Sequence, residues 1–226
     1  MKITFYGQNT LALEINSKHI IVDPFITGNP LANEKVDIQD LKADYVLLTH
    51  AHQDHTLDAE AIAKQNEATL VSNFEIANHY QAKGINVHPM NHGGSWEFDF
   101  GTVKYVNAIH TSSFPDGSYG GQPGGFIIEA NEKCLYIAGD TALHADMKLI
   151  PLRHQVDLAV LPIGDNFTMG VDDAILASDF IECNRVLGCH YDTFDAIKID
   201  HDLALEKFKM KKKELILLPI GESVSI

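Results

Sequence analysis

Three histidines and one aspartate crowd into six residues of this chain: His50, His52, Asp54 and His55, in the run Thr49-His50-Ala51-His52-Gln53-Asp54-His55. Imidazole and carboxylate are side chains that zinc, manganese and iron accept as ligands. The run comes directly after the apolar stretch Tyr45-Val46-Leu47-Leu48, so it stands where a buried strand should end. On an extended segment, residues two apart share a face, and His50 and His52 can then grip one ion together. A turn into a helix just beyond would swing Asp54 and His55 toward a second ion. A plain solvated loop rarely carries three histidines and an aspartate in this order.

A two-ion site needs further ligands, and the chain offers three at similar positions. His110 succeeds Val103-Lys104-Tyr105-Val106-Asn107-Ala108-Ile109, Asp140 succeeds Leu135-Tyr136-Ile137-Ala138-Gly139, and His190 succeeds Val186-Leu187-Gly188-Cys189. Each polar residue closes an apolar stretch where a loop begins. Singly, each has an ordinary explanation, such as a hydrogen-bonded strand-end histidine or, for Asp140, a helix N-cap. Together with the first cluster they fit a binuclear centre at one edge of stacked sheets.

Secondary-structure elements must position these residues. Strands are predicted at 2–6, 10–15, 19–23, 45–49, 69–72, 96–100, 102–109, 124–130, 133–138, 157–162, 186–190, 214–218 and 222–226. Helices are predicted at 57–66, 73–83, 142–152, 171–183 and 201–212. Residues 24–43, with Pro24, Gly28, Asn29 and Pro30, read as loop with a short helical turn. Phe98-Asp99-Phe100-Gly101-Thr102-Val103 reads as a tight hairpin. Strand-rich halves, each with helices, predict an α+β fold. It is a four-layer αββα sandwich of two mixed β-sheets with helices on both outer faces. Residues 1–226 read as a single domain, with no linker-like segment and no repeat.

Bulk properties narrow the function. The chain has 226 residues, 45% of them hydrophobic, enough for one full core. Its 17 Lys and Arg stand against 31 Asp and Glu, a net charge of −14. That charge repels polyanions at long range and argues against nucleic-acid binding by charge alone. Cleavage of a phosphodiester at a metal centre stays open, because bound ions reverse the local sign. Cys134, Cys183 and Cys189 are odd in number and form no Cys-x-x-Cys pair, so buried thiols in a reducing compartment are expected. No signal-peptide pattern and no membrane-length apolar run is visible; a cytoplasmic location is the expectation.

The order His-x-His-x-Asp-His, then His, then Gly-Asp, then His resembles the metallo-β-lactamase fold superfamily over nearly the whole chain. Val22-Asp23-Pro24 matches its early aspartate. Gly7-Gln8-Asn9-Thr10, Gly139-Asp140-Thr141, the stretch from Pro162 to Gly170 and His190-Tyr191-Asp192-Thr193-Phe194 resemble the small stand-alone metal-dependent hydrolases related to ascorbate-6-phosphate lactonase. Gln8 and Asn9 stand where many of those relatives carry His and Ser. The resemblance implies that His50, His52 and His110 hold one ion, that Asp54, His55 and His190 hold the other, and that Asp140 bridges both. Asp23 would orient a ligand histidine from behind.

The chemistry such a centre implies is hydrolysis. Two divalent ions, zinc first and manganese or iron next, would share a water and bring its pKa near neutrality. The bridging hydroxide would attack a small ester, lactone or phosphoester, with Asp54 and Asp140 as the catalytic carboxylates. His at 52, rather than the Glu of oxygen-reducing relatives, points away from redox chemistry. Asp at 140, rather than Cys, points away from β-lactam cleavage. The chain also ends before the helical domain of glyoxalase-type thioesterases and lacks the inserts of nucleic-acid-processing relatives. A small-molecule substrate is therefore expected, and the resemblance implies a homo-oligomer. A phosphodiesterase or nuclease is the enzymatic alternative, and a non-catalytic metal-binding scaffold the other.

Several residues remain open between pocket lining and turn chemistry: Ser112, Ser113 and Phe114 after His110, and Asn166, Phe167 and Thr168 between Gly164 and Gly170. The turn-rich segment 115–125 reads as a lip over the site or a subunit contact. Lys207, Lys209, Lys211, Lys212 and Lys213 read as a solvated helix face. His19, His79, His88, His92, His144, His154 and His201 are expected to be surface or hydrogen-bonded histidines.

Overall fold

Alternation of buried residues along three short strands shows how the chain layers itself. Ile20, Val22, Leu47 and Val71 join the large core between the sheets, while Ile21, Val46, Leu48 and Leu70 join a second cluster on the opposite face. Period-two alternation with apolar residues on both sides marks strands buried on both faces. The computed structural model describes residues 1–226. Its strands are β1 (Lys2–Phe5), β2 (Leu11–Ile15), β3 (Lys18–Val22), β4 (Tyr45–Leu47), β5 (Thr69–Asn73), β6 (Val87–Met90), β7 (Ser95–Phe98), β8 (Gly101–Asn107), β9 (Gly124–Ala130), β10 (Lys133–Ile137), β11 (Leu158–Pro162), β12 (Arg185–Cys189), β13 (Glu214–Ile216) and β14 (Ser223–Ser225). Its α-helices are α1 (Gln53–Thr56), α2 (Ala59–Asn66), α3 (Phe74–Gln81), α4 (Val171–Phe180) and α5 (His201–Met210).

Two seven-stranded sheets result, in the orders β14-β1-β2-β3-β4-β5-β6 and β7-β8-β9-β10-β11-β12-β13. Taken in those directions, each sheet runs through three antiparallel pairs and then three parallel ones. The two halves therefore share one pairing plan although no sequence repeat is visible. Residues from α2 and α3 (Ala59, Ile62, Ala63, Ile76, Tyr80) cover the outer face of the first sheet. Helices α4 and α5 pack on the second, through Ala174, Ala177, Ala204 and Phe208. The expected four-layer α/β sandwich of two mixed sheets is the architecture observed.

Four elements differ from the sequence-based expectation. The helix predicted at 142–152 is only a 3-10 turn, Ala145–Leu149. Its start is taken by the neighbouring strand end, since the Ala142 N–H donates to the Ile109 carbonyl and the Ile109 N–H donates to Thr141 Oγ1; Pro151 then blocks continuation. The helix predicted at 57–66 begins two residues late, at Ala59, because the Asp58 carboxylate is engaged by the N–H groups of Ile26 and Thr27. Strand β6 has no counterpart among the predicted strands. It contains Pro89 and lies at a sheet edge, where a missing N–H is tolerated. Finally, Lys213 is buried and pairs with Asp179 at 2.8 Å, so the lysine run is not wholly a solvated face.

The hairpin at Phe98–Gly101 forms as expected, with Phe98 opposite Gly101. No helix is long and apolar enough to cross a membrane.

Candidate metal centre

Every site residue predicted from sequence sits just beyond a strand, at one edge of the sandwich. The first sheet sends His50, His52, Asp54 and His55 from the β4–α1 segment. The second sends His110 from the end of β8, Asp140 from β10 and His190 from β12. They fall into two groups whose ligand atoms lie within 4.8 Å of one another: His50, His52 and His110 in one, and Asp54, His55, Asp140 and His190 in the other. The chain is extended at His52, with φ −61° and ψ 149°, and turns at once into α1. That break sends His50 and His52 to one group and Asp54 and His55 to the other.

Asp140 stands between the groups. Its Oδ2 is 3.0 Å from His190 Nε2, 3.3 Å from His55 Nε2, 3.6 Å from His110 Nε2 and 3.8 Å from His50 Nε2. Burial alone would push its carboxyl up, but the imidazoles of His190 and His55 outweigh burial and hold it well below the usual carboxylate range. Burial opposes ionisation of Asp54 too, and His55 and His190 again prevail and lower it. For His190, burial favours the neutral ring, yet Asp140 and Asp54 overcome it and raise the group to about 9. Burial, with His55 beside it, leaves His50 well below its ordinary value.

The supporting shell is built from backbone placed under strain. Asp23, Gln8 and His190 all adopt positive φ (44°, 51° and 55°), a region non-glycine residues seldom occupy. Asp23 is fully buried and accepts from Thr49 N, Thr49 Oγ1 and Asn9 Nδ2, and its Oδ2 lies 2.9 Å from His55 Nδ1. It thus fixes the ring of His55 with Nε2 facing the site. Gln8 Nε2 donates to Asp54 Oδ2 at 2.8 Å, and the Gln8 carbonyl accepts the His190 N–H at 2.7 Å. Gly139 precedes Asp140 with φ 65°, and a Cβ there would meet Thr49 Cβ at 2.8 Å. Only glycine lets β10 approach the first sheet this closely.

A cation fits this donor set. His55 Nε2 and Asp140 Oδ1 are buried and make no hydrogen bond, a state that costs free energy unless something else satisfies them. Imidazole and carboxylate donors converging in two adjacent groups match the ligands of divalent transition metals.

Expectations about the surroundings divide. Phe167 lines the cavity over the site, which measures about 860 Å³, together with Phe25, Leu57, Thr111 and Phe194. Ser112, Ser113, Phe114, Asn166 and Thr168 do not line it. Ser112 is buried behind the metal loop, accepting the Ala51 N–H and donating to the Gly120 carbonyl. Phe114 stacks on His79 within the outer cluster. The segment 115–125 is anchored beneath the loop rather than arching over the cavity; the Gly120 N–H donates to Ser112 O, and Asn73 Nδ2 donates to Gly120 O. His144 also departs from expectation. It is buried, neither ring nitrogen has a hydrogen-bond partner, and it belongs to neither ligand group. Thr49, Phe25 and Leu57 are functional neighbours that sequence reasoning misses. Thr49 alone leaves a signal, as the hydroxyl residue directly before the first histidine.

Known proteins resemble this chain in sequence and in fold. A family model described as the Beta-lactamase superfamily domain matches residues 18–191. A UPF0173 metal-dependent hydrolase from Christiangramia forsetii is 73% identical over 226 residues, covering all of both chains. Igni18, a metallo hydrolase from the hyperthermophilic archaeon Ignicoccus hospitalis, superposes with a TM-score of 0.89 at 33% identity, over 99% of this chain and 97% of that one. The metallo-beta-lactamase fold protein YhfI from Bacillus subtilis gives a TM-score of 0.76 at 14% identity over 99% of this chain and 98% of its own, a likeness of fold alone.

Proposed function

Because this chain belongs to the UPF0173 family of metal-dependent hydrolases, within the beta-lactamase superfamily, we propose that it hydrolyses a small ester, lactone or phosphoester at a centre of two divalent metals. The observation that carries this reading is Asp140, whose single oxygen lies within 3.8 Å of imidazoles from both ligand groups. His50, His52 and His110 would hold one ion and Asp54, His55 and His190 the other, with Asp140 common to both. Zinc suits a donor set in which imidazoles outnumber carboxylates, and manganese or iron suit it less closely. Bound there, the ions supply Lewis acidity and an activated water.

The chain's own residues do the rest. Asp54 and Asp140 are the catalytic carboxylates of this reading; the neighbouring imidazoles keep both ionised at neutral pH. Asp23 locks the tautomer and tilt of His55, and Gln8 pins one oxygen of Asp54. Thr111 reaches His52 Nε2 at 3.3 Å from the cavity side. No Ser or Cys nucleophile is required, and the three cysteines are buried. The reading includes a cytoplasmic homo-oligomer acting on a small molecule, with nucleic acid the less favoured substrate and no membrane.

The experiment is elemental analysis of protein purified without added metal, paired with a screen of lactones, carboxyl esters and phosphodiesters after each metal is restored. About two equivalents with metal-dependent turnover supports the reading. Less than one equivalent after every reconstitution, with no turnover, overturns it.

A further inference from the structure

The cavity over the metal centre has charge and polarity that say what can enter it. Its lining contains no lysine and no arginine, and beside the ligand histidines the charged side chains it presents are the carboxylates Asp54, Asp140 and Asp195. Asp195 is already engaged by Lys198 at 2.7 Å. The rest of the wall carries two neutral polar side chains, Gln53 and Thr111, and four large apolar ones, Phe25, Leu57, Phe167 and Phe194. Phe167 is 57% exposed, Phe194 40% and Leu57 38%, and Phe25 and Phe194 lie 6.3 Å apart, ring centre to ring centre. Exposed aromatic side chains converging on a concave site mark a surface that awaits an apolar partner.

The loop around Phe167 fixes the backbone that carries the ring. Gly164 bridges Gly170 at the base, and Asp165 and Asn166 both take the left-handed conformation (φ 62° and 57°). The loop is thereby a closed finger with one ring at its tip. Asp and Asn are the non-glycine residues that enter this region most readily, so the tight turn is built into the sequence.

We propose that the substrate is an uncharged carboxyl ester or lactone carrying an aryl or alkyl group, seated against Phe25, Leu57, Phe167 and Phe194. This rests on the hydrolase reading above and narrows it. An anionic group on the substrate, remote from the scissile bond, would find no lysine or arginine on the walls and would meet a chain of net charge −14. Nucleic acid, whose recognition depends on Lys and Arg contacts to phosphate, does not fit. In the reaction, water adds across the acyl C–O bond. Its oxygen joins the acyl carbon, its proton ends on the leaving oxygen, and nothing is oxidised or reduced. The products are a carboxylic acid and an alcohol, joined in one molecule when a lactone opens.

The test uses the full chain reconstituted with zinc or manganese and three p-nitrophenyl substrates: the acetate, the hexanoate and the monoester of adipic acid, which ends in a carboxylate. The hexanoate should exceed the acetate in kcat/KM by about tenfold, and the adipate should fall about tenfold below the hexanoate. Phe167→Ala with Phe194→Ala should collapse the hexanoate-to-acetate ratio by roughly tenfold, while Leu152→Ala, at an exposed leucine away from the cavity, leaves that ratio unchanged. Preference for the adipate ester or for bis(p-nitrophenyl) phosphate over the hexanoate overturns the proposal and leaves the hydrolase reading standing.

A second arm needs no turnover. Saturation-transfer NMR of 2-phenylethyl acetate with the metal-free protein should show contact with aromatic side chains, lost in the double Phe variant. Binding of this kind without hydrolysis of any ester supports the apolar site and counts against the hydrolase reading. Absence of transfer from the wild-type protein overturns the apolar site, whatever is hydrolysed.

Discussion

Asp23 Oδ2 lies 2.9 Å from Nδ1 of His55, and both side chains are fully buried. The same oxygen also accepts from Thr49 Oγ1 and Asn9 Nδ2 at 2.6 Å each. Replacing it with an amide nitrogen would set donor against donor at up to three places. Asp23→Asn is therefore expected to weaken metal binding by about 10–100-fold and to cost about 1–3 kcal/mol of stability. Competition with a chromophoric chelator and thermal melts of the metal-free variant measure the two effects separately.

Asp140 sits between the two ligand groups, so its loss should strike both. In Asp140→Ala the metal content is expected to fall below one equivalent, and ester hydrolysis to drop by roughly a thousandfold or more. Variant protein with two tightly held ions would show that the carboxylate is not shared.

Chelation should lower the melting temperature. Metals that bind the folded chain alone stabilise it by about 2.7 kcal/mol at a concentration one hundred times Kd, and the buried donors His55 Nε2 and Asp140 Oδ1 have no protein partner to replace them. Titrating zinc back should restore the melt, with the break at about two equivalents.

Much of the site is legible in the residues, and the reasons differ by element. The His50–His55 run announces itself because an extended segment and a helix meet inside six residues and send their side chains to two adjacent groups. His110, Asp140 and His190 are visible because each ends a buried strand, where apolar patterning stops abruptly. Asp23 is legible only by its place before Pro24, and Gln8 not at all as a partner of Asp54. Contacts of that kind join residues 46 positions apart and leave no periodic trace. The helix expected at 142–152 is cut to a turn by a contact likewise distant in sequence, since Thr141 and Ala142 are tied to Ile109 by hydrogen bonds in both directions and held in line with it. Phe25, Leu57 and Phe194 carry no sequence sign of exposure. An apolar residue on a rim and one in a core look alike until the surface is drawn.

Glu60 gives a pH-dependent prediction away from the site. Hydrogen bonds from Lys64 and Lys83, at 2.7 Å and 2.9 Å, lower its carboxyl to about 2. The depressed carboxyl contributes stability that is complete above its unfolded value of 4.5 and disappears as pH falls through about 2. The groups are well exposed, so solvent screening holds the whole effect to about 0.5 kcal/mol. Glu60→Gln should melt slightly below wild type at pH 7, with the gap closing toward pH 2.

The three thiols should be silent in the native state. Burial pushes Cys134 up to about 12 and raises Cys183 and Cys189 as well, so little thiolate exists at pH 8. Ellman's reagent is expected to titrate none of them in the folded protein and all three after denaturant, with any slow native reaction reporting local opening.

Each ligand group draws residues from both sheets, and neither sheet holds a complete set. The centre is thus a gauge of how the halves are aligned. A slip of one sheet along its strands by a single residue, about 3.3 Å, would carry His110, Asp140 and His190 out of reach of the β4–α1 histidines, while the apolar faces would still meet, although no longer interdigitated. Metal uptake would then distinguish a chain whose halves have merely met from one whose halves have met in register, and a slowly appearing zinc signal during refolding would time that last adjustment.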